Sequence, residues 1–589
     1  MLKTNLLIYL KFSSKLYDFE LNKDQEKNIL THLLKIDSIV LIFLNLYILI
    51  FNNTSKLFFQ KKIYELNDKQ IILLKKFFYF SNFFSDKFNQ IFFSVICFHL
   101  YGNEEVKPKK IDSKKVENKL AMHKKFIVIG SGPSGSVTSL ELSKKFPGEV
   151  LMIEKGGHFS MPKTKHPGQE FSNKWYRGGF NATYFPEVLA FSSGVCLGGG
   201  SEINSGLYYG PGSDFLENWS KDYKTEKLDL SLLDKHIRKV ETLVENQQKE
   251  KGNFSNLFEI GSKNKRHNSL KLKKFFDFEE NQKNSMSETL IRDFKKNHGV
   301  VEVNTEVIKI KFNKGKWNLK AKQNDKQIKF SCDYLFLCCG SIFTSSLLLK
   351  NGIAKNYSRT LRNFKFHPML KIIGTYEKNI QTLNEDVITN QNTNFYPKFL
   401  IGNSSSSLQF LISSFYDNKK IRSFIYENWK KMKIFHATFS LGRGKIFHLP
   451  FFKEPILLYF LNKNEKKIML DSYNELINFI SATSAKSFIP ITSKKTDIYN
   501  KVTIKKLLKD HLLLKKLQMS SVHILGGVTM GESKKCVANS FGKINGHEGI
   551  YVNDSSLINN DLLNNPQGTV MAIAYRNIEN FLDNLENRK

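Results

Sequence analysis

Apolar residues early in the chain recur at helical spacing, as at Ile29, Leu33, Ile36 and Val40. No Gly or Pro occurs before Gly102, so nothing in that stretch breaks a helix. Residues 1–115 are therefore expected to form an all-helical N-terminal extension. Two helix starts look alike. Asn22 precedes Gln25 by three positions, and Asn67 precedes Gln70 in the same way, which is the geometry of a capping box. Ile39 to Phe51 is apolar apart from Asn45. That run is short of the roughly 20 residues that span a bilayer, which leaves a core helix or an interfacial segment. Phe77 to Phe98 is rich in Phe but broken by Asp86, Lys87 and Asn89. Core packing is the favoured reading of both runs, with peripheral membrane contact as the alternative. Lys107 to Lys124 is charged and contains Pro108. It reads as a linker, with 116–123 placed between domains.

The period changes at Phe126. Phe126 to Ile129 is a short apolar strand, followed by the turn Gly130-Ser131-Gly132-Pro133-Ser134-Gly135. Val137 to Lys145 then reads as a helix and Val150 to Ile153 as a second strand. This is the start of a βαβ unit. A second strand-rich block runs from Val301 to Gly340, including Glu306 to Lys311 and Tyr334 to Cys339. Residues 356–515 carry no assignable motif and are the candidate for substrate-facing structure.

A chain of 589 residues is too long for one simple core, so two or three domains are expected. The hydrophobic share of 41% excludes wholesale disorder. Against 55 Asp+Glu stand 89 Lys+Arg. This excess would suit an anionic membrane or an acidic partner, but it is spread along the chain without a long basic block, which favours compositional bias. There is no nucleic-acid module. The six cysteines show no C-x-x-C pair, haem site or zinc spacing, so no metal is expected and a reduced compartment is the simplest inference. Leu6 to Leu10, broken by Lys11, is a poor secretory signal. A cytoplasmic location is expected, with membrane association as the alternative.

Gly130 permits the tight turn, Gly132 lets backbone N–H groups approach a pyrophosphate, and Gly135 lets the helix pack close to the strand. Glu154 ends the second strand, where a carboxylate can accept hydrogen bonds from a ribose diol. Together these favour a dinucleotide site over a mere Gly-rich turn. Gly198-Gly199-Gly200 forms a second flexible turn. After it, Ser201 and Asn204 are either partners for a flavin ring edge or parts of an ordinary loop. His523 is a fit base for an alcohol hydroxyl near neutral pH, although a lone His is more often structural. Asn565, held before Pro566 in an extended conformation, can donate to an alcohol oxygen as charge develops on it.

From Lys124 to the C-terminus the chain resembles the glucose–methanol–choline oxidoreductase family. The family's G-x-G-x-x-G and strand-ending Glu match Gly130, Gly132, Gly135 and Glu154. Its G-G-[GS]-S-x-x-N turn matches Gly198 to Asn204. H-x-x-G-x-x-x-M-G matches His523 to Gly531, V-x-D-x-S matches Val552 to Ser556, and N-P-x-x-T matches Asn565 to Thr569. Asn363 to Pro368 looks like its N-[LF]-x-x-H-P segment. One departure is Gly527, where many members carry Thr, as the sugar- and sugar-acid-oxidising branch does not.

The resemblance implies an α/β fold: a Rossmann-like FAD-binding domain built from discontinuous segments, with an inserted α+β substrate domain. The expected division is 124–215, 291–355 and 516–589 for the flavin domain, 216–290 for an insert, and 356–515 for the substrate domain. FAD is the implied cofactor. Its expected contacts are Gly130, Gly132, Ser134, Gly135, Glu154, Gly199, Ser201, Asn204, Val307, Asp554 and Thr569. His523 is the implied base and Asn565 its partner. The function this implies is oxidation of the CH–OH group of a small alcohol or sugar, with hydride passing to the flavin. The electron acceptor is left open among oxygen, a quinone and a carrier protein. A lyase or decarboxylase on the same fold, or a non-catalytic flavoprotein scaffold, are the alternatives.

Overall fold

The computed structural model describes residues 2–77, 82–101, 122–159, 167–244, 253–277, 279–280, 282–324, 326–380, 390–449, 454–492, 496–509, 517–558 and 562–587. Most of the expected linker, including 116–121, lies outside them. The first strand, β1, runs over Met122–Ile129, so 122 and 123 belong to the sheet and not to a linker.

A parallel sheet forms around β1. The strands lie in the order Val300–Glu302, β2 (Val150–Ile153), β1, Lys326–Leu337, Ile550–Val552. The antiparallel hairpin Thr305–Asn313 and Lys316–Gln323 extends it on the Lys326–Leu337 side. Buried on both faces, β2 reads as the continuous apolar run Val-Leu-Met-Ile. The C-terminal helix Gln567–Glu586 covers one face, packing Met571, Ile578 and Phe581 with Val128 and Phe336. The last strand and this helix return from the far end of the sequence, so the domain is discontinuous.

The division between 216 and 290 needs correction. Helices Ser213–Tyr223 and Leu230–Glu241 bury Phe215, Leu216, Trp219 and Leu233 in the flavin-domain core beside Ile127 and Leu337. Helical periodicity alone could not show which core their apolar faces join. Among the described residues a second, ten-stranded sheet carries the region expected to face substrate, with Asn363–Thr375 at its centre between Arg443–Phe447 and Met432–Thr438. Met519–Leu525 pairs with Asn363–Thr375 as well. The strand bearing His523 therefore belongs to the substrate sheet, although it was expected in the flavin domain.

Among the described residues the N-terminal extension holds five α-helices: α1 (Leu2–Leu16), α2 (Lys23–Leu33), α3 (Ser38–Phe59), α4 (Asp68–Phe77) and α5 (Asn82–Leu100). Both expected capping boxes are present. Gln25 N donates to Asn22 Oδ1 at 2.9 Å and Asn22 N to Gln25 Oε1 at 3.0 Å; Asn67 and Gln70 repeat the exchange at 3.0 and 3.1 Å. The extension has its own core, including Leu10, Leu33, Leu44, Ile48, Phe51 and Phe92. It is not a detached module, however. Phe93 and Cys97 of α5 are buried in one cluster with Ile373, Leu411 and Ile434 of the substrate domain. Arg177 pairs with Asp37 before α3 and, at 2.6 Å, with Glu454, and all three are largely buried.

The apolar run Ile39 to Phe51 is part of a single 22-residue helix, longer than the run itself. Its inner face, Leu41, Leu44, Ile48 and Phe51, is buried. Its outer face leaves Ile42, Phe43, Leu46, Ile50, Leu57 and Phe58 exposed.

Candidate active site

The flavin domain and the substrate sheet enclose one continuous cavity of about 2430 Å³. Single-ligand pockets run to roughly 1,000 Å³, so this space has room for a dinucleotide and a substrate chamber beside it. The glycine turn after β1 lies at one end. Gly130 has φ +102° and a Cβ there would sit 2.2 Å from the Cys338 carbonyl oxygen. A Cβ at Gly135 would lie 2.1 Å from the Gly130 carbonyl oxygen. Both positions are glycine because the turn itself has no room. Gly132 differs: it is the N-cap of α6 (Pro133–Lys145), and a Cβ on it would meet nothing within 4 Å. The open space lies at the N-terminus of a helix, where unsatisfied N–H groups and the helix dipole favour a phosphate. That is the cradle a dinucleotide pyrophosphate needs, and it fits FAD.

Glu154 lines the same cavity. Its carboxylate accepts from Ser131 Oγ at 2.7 Å, Ser131 N at 3.1 Å and Gly156 N at 2.8 Å. Burial pushes its pKa up and these hydrogen bonds oppose the shift. Ser131 Oγ also accepts from Gly198 N at 3.0 Å, and a Cβ at Gly199 would lie 2.8 Å from Gly132 Cα. The two glycine turns are thus packed against each other. Val307 and Ser134 also line the cavity.

Several other expected cofactor residues have structural partners instead. Ser201 Oγ donates to the Gly198 carbonyl at 2.7 Å and accepts from Met286 N at 3.0 Å, and it does not line the cavity. Asn204 does line it, but its amide donates to Gln567 Oε1 at 2.6 Å and its oxygen accepts from Gly206 N at 3.0 Å. It joins the second glycine turn to the C-terminal helix. Asp554 is on the wall and buried. It accepts from Gly340 N, Thr344 Oγ1, Ser556 N and Ser556 Oγ at 2.5–2.8 Å, which fixes the loop after Ile550–Val552 to the helix Ser341–Lys350. Thr569 is fully buried in the first turn of Gln567–Glu586, away from the wall, and its hydroxyl has no hydrogen bond among the described residues.

At the substrate end the structure brings His523 and Asn565 together, 42 residues apart in sequence. Asn565 Nδ2 lies 3.4 Å from His523 Nε2. On its other side, His523 Nδ1 lies 3.1 Å from His367 Nδ1. His367 lies in the Asn363 to Pro368 segment, where its His-Pro pair is the sequence signal for it. It sits at a register shift between Phe366 and Pro368, where Asn363–Thr375 pairs with Met519–Leu525, and that irregularity aims its ring at the neighbouring strand. Burial lowers the pKa of His523 to about 4. His367 is held well below its usual range by burial and by the cost of placing a second cation beside His523. Both rings are neutral near pH 7. Gly527 has φ +111°, and a Cβ there would lie 2.1 Å from Ser345 Oγ and 3.1 Å from the Phe364 ring. The departure from Thr at this position therefore has a steric reason in this chain.

Comparison with known proteins gives a consistent result. The GMC oxidoreductase N-terminal profile matches residues 125–369 and the C-terminal profile 453–574. The chain is 24% identical over 483 residues to an uncharacterized GMC-type oxidoreductase, y4nJ, of Sinorhizobium fredii, covering 78% of this chain and 95% of that protein. Among solved structures it is similar to pyridoxine 4-oxidase from Mesorbium loti, at 11% identity and TM-score 0.61, covering 78% of this chain and 99% of the other. It is also similar to a variant of the formate oxidase of Aspergillus oryzae, at 12% identity and TM-score 0.61, covering 79% and 100%. At these identities the structural likeness is one of fold.

Proposed function

The chain belongs to the GMC oxidoreductase family, and on that premise we propose that this FAD-dependent oxidoreductase oxidises the CH–OH group of a small alcohol or sugar. The observation that carries the reading is the pairing of His523 with Asn565 in the wall of the cavity whose other end is the dinucleotide cradle.

FAD supplies a hydride acceptor. Gly132 and the N-terminus of α6 would hold its pyrophosphate, and Glu154 its ribose. The protein's own residues handle the proton. One proton lies between the two Nδ1 atoms of His367 and His523. With that proton on His523, Nε2 presents a lone pair beside Asn565. Burial keeps this nitrogen unprotonated near neutral pH, so it can accept the hydroxyl proton of an alcohol. The Asn565 amide donates to the same alcohol oxygen as negative charge grows there. When Nε2 takes the proton, His523 becomes a cation whose Nδ1–H still points at the lone pair of His367. His367 thus fixes the tautomer and orients the base.

The test is anaerobic flavin reduction by a panel of alcohols and sugars, in wild type and in His523→Ala. Bleaching by an alcohol that is lost in the variant while FAD stays bound supports the reading. A yellow, folded protein that no alcohol bleaches would turn it toward the lyase, decarboxylase or scaffold alternatives.

A further inference from the structure

We propose that the substrate of this site carries an oxyanion, a carboxylate or a phosphate ester, and that Lys371 binds it. The inference rests on the alcohol-oxidation reading for the other end of the substrate. Lys371 lies on Asn363–Thr375, four residues beyond His367. Alternation along that strand sends Leu370 and Ile372 into the substrate-domain core, whereas Met369 and Lys371 line the cavity. Among the described residues it is the only Lys, Arg, Asp or Glu that the ten-stranded sheet contributes to the cavity wall. No described carboxylate forms an ion pair with it. Burial alone moves its pKa, down to about 8, with no acidic neighbour opposing the shift. A cation recessed in a cavity wall without a described counter-ion is costly, and a ligand anion would supply the missing partner.

The surroundings suit an oxyanion. His436 faces Lys371 across the register of Asn363–Thr375 and Met432–Thr438. Its Nδ1 is 3.0 Å from Ser404 Oγ; when that hydroxyl donates, Nε2 carries the N–H. His436 Nε2 lies over Gly402, where a Cβ would come within 2.8 Å of it. Ser520, on the neighbouring strand, also lines the cavity, but its Oγ is enclosed and has no hydrogen bond among the described residues. The pocket therefore offers one ammonium and one imidazole N–H. At about 3.3 Å per residue, the backbone positions of Lys371 and His367 are roughly 13 Å apart along the strand, so the anion is held apart from the carbon that reacts.

The experiment is calorimetric titration of the oxidised FAD-loaded protein with sorbitol, gluconate and sorbitol 6-phosphate, which share one carbon chain. One or both anions should bind about 10-fold tighter than sorbitol or better, as expected for hydrogen bonds to a charged group, and which of them does separates carboxylate from phosphate. Lys371→Met and Lys371→Gln should remove the preference, and Lys371→Arg should retain it. Equal binding of all three by wild type, or a preference that survives both Lys371→Met and Lys371→Gln, would overturn the proposal. Anion preference without flavin reduction by any alcohol would sink the alcohol-oxidation reading and leave this one standing. Flavin reduction by sorbitol with no anion preference would do the reverse.

A separate observation concerns α3. Its outer face exposes Ile42, Phe43, Leu46, Ile50, Leu57 and Phe58, with Leu57 78% exposed, and large apolar patches on a soluble surface mark interaction sites. Four exposed lysines, Lys11, Lys56, Lys61 and Lys62, gather near its C-terminal end, where the Lys11 and Lys62 ammonium groups lie 5.8 and 5.7 Å from the Tyr64 ring. The geometry points to an anionic lipid surface as the occupant: the apolar stripe enters the interface and the lysines meet the headgroups. The buried inner face keeps the helix in the plane of the surface. The full-length FAD-loaded protein should co-sediment with phosphatidylcholine vesicles containing phosphatidylserine, and less with phosphatidylcholine alone. Phe43→Glu with Leu46→Glu should abolish sedimentation and leave the flavin spectrum unchanged. Failure of wild type to bind the anionic vesicles, or a dimer by light scattering that the double variant dissociates, would overturn it.

Discussion

The Nδ1 atoms of His367 and His523 lie 3.1 Å apart, with their rings near perpendicular at 86°. Two imidazole nitrogens at this distance accommodate one proton between them, and two N–H groups would repel. With that proton on His523, its Nε2 is left unprotonated for Asn565 and the substrate.

Removal of the base should separate chemistry from cofactor binding. His523→Ala should retain FAD and slow anaerobic flavin reduction by roughly 10²- to 10⁴-fold. Asn565→Ala should lower kcat more than it raises KM, because its hydrogen bond strengthens as charge develops. His367→Ala should cost less than His523→Ala, since it only orients the base. Stopped-flow reduction traces give all three values; His523→Ala at wild-type rate would show that the residue merely packs.

The pH profile carries its own sign. His523 must be unprotonated to accept a proton, and burial lowers its pKa to about 4. In the base limb, kcat/KM should hold level from pH 8 down to about 5 and fall as pH drops through about 4. A limb near pH 6.5 would mean that the ring is solvated as in a free histidine.

The glycines of the first turn should fail in different ways. Gly132→Val projects into open space, so the protein should fold and fail to hold FAD. Gly135→Val meets the Gly130 carbonyl oxygen and should impair folding itself. Thermal melting with flavin content distinguishes the two; a Gly132→Val protein that is fully yellow would place the pyrophosphate elsewhere.

Deletion of residues 1–101 should destabilise the remainder instead of releasing an intact flavin core. The deletion strips Phe93 and Cys97 from a shared cluster and removes the Asp37 partner of buried Arg177. Each large side chain uncovered costs about 1.5–3 kcal/mol, against a typical total stability of about 5–15 kcal/mol. Size-exclusion chromatography should show aggregated or flavin-free material, and a monodisperse yellow truncation would overturn the shared-core account.

The residues of the site were mostly legible because the constraints on them are local. Gly130 and Gly135 are fixed by close backbone approach, which only one residue type permits. The two capping boxes are closed by side chains three positions apart. Less legible were roles that depend on what stands opposite. Ser201 and Asn204 read from spacing either as flavin partners or as parts of a loop, and their hydrogen bonds go to Gly198, Met286, Gln567 and Gly206. His367 drew no role because its partner is 156 positions away.

Local pattern carries the dinucleotide turn and the helical character of the extension, through a turn that tolerates only glycine, an acid at a strand end and an unbroken helical period, whereas the family and FAD follow from the resemblance of motifs spread from Gly130 to Thr569. The tertiary structure alone decided which core each apolar face joins and which polar groups meet. It put Trp219 in the flavin domain, buried Phe93 against the second sheet, brought Asn565 to His523, and left Lys371 on the cavity wall with no counter-ion among the described residues. The physical reason is that burial and pairing are properties of two surfaces at once, and a sequence period specifies only one of them.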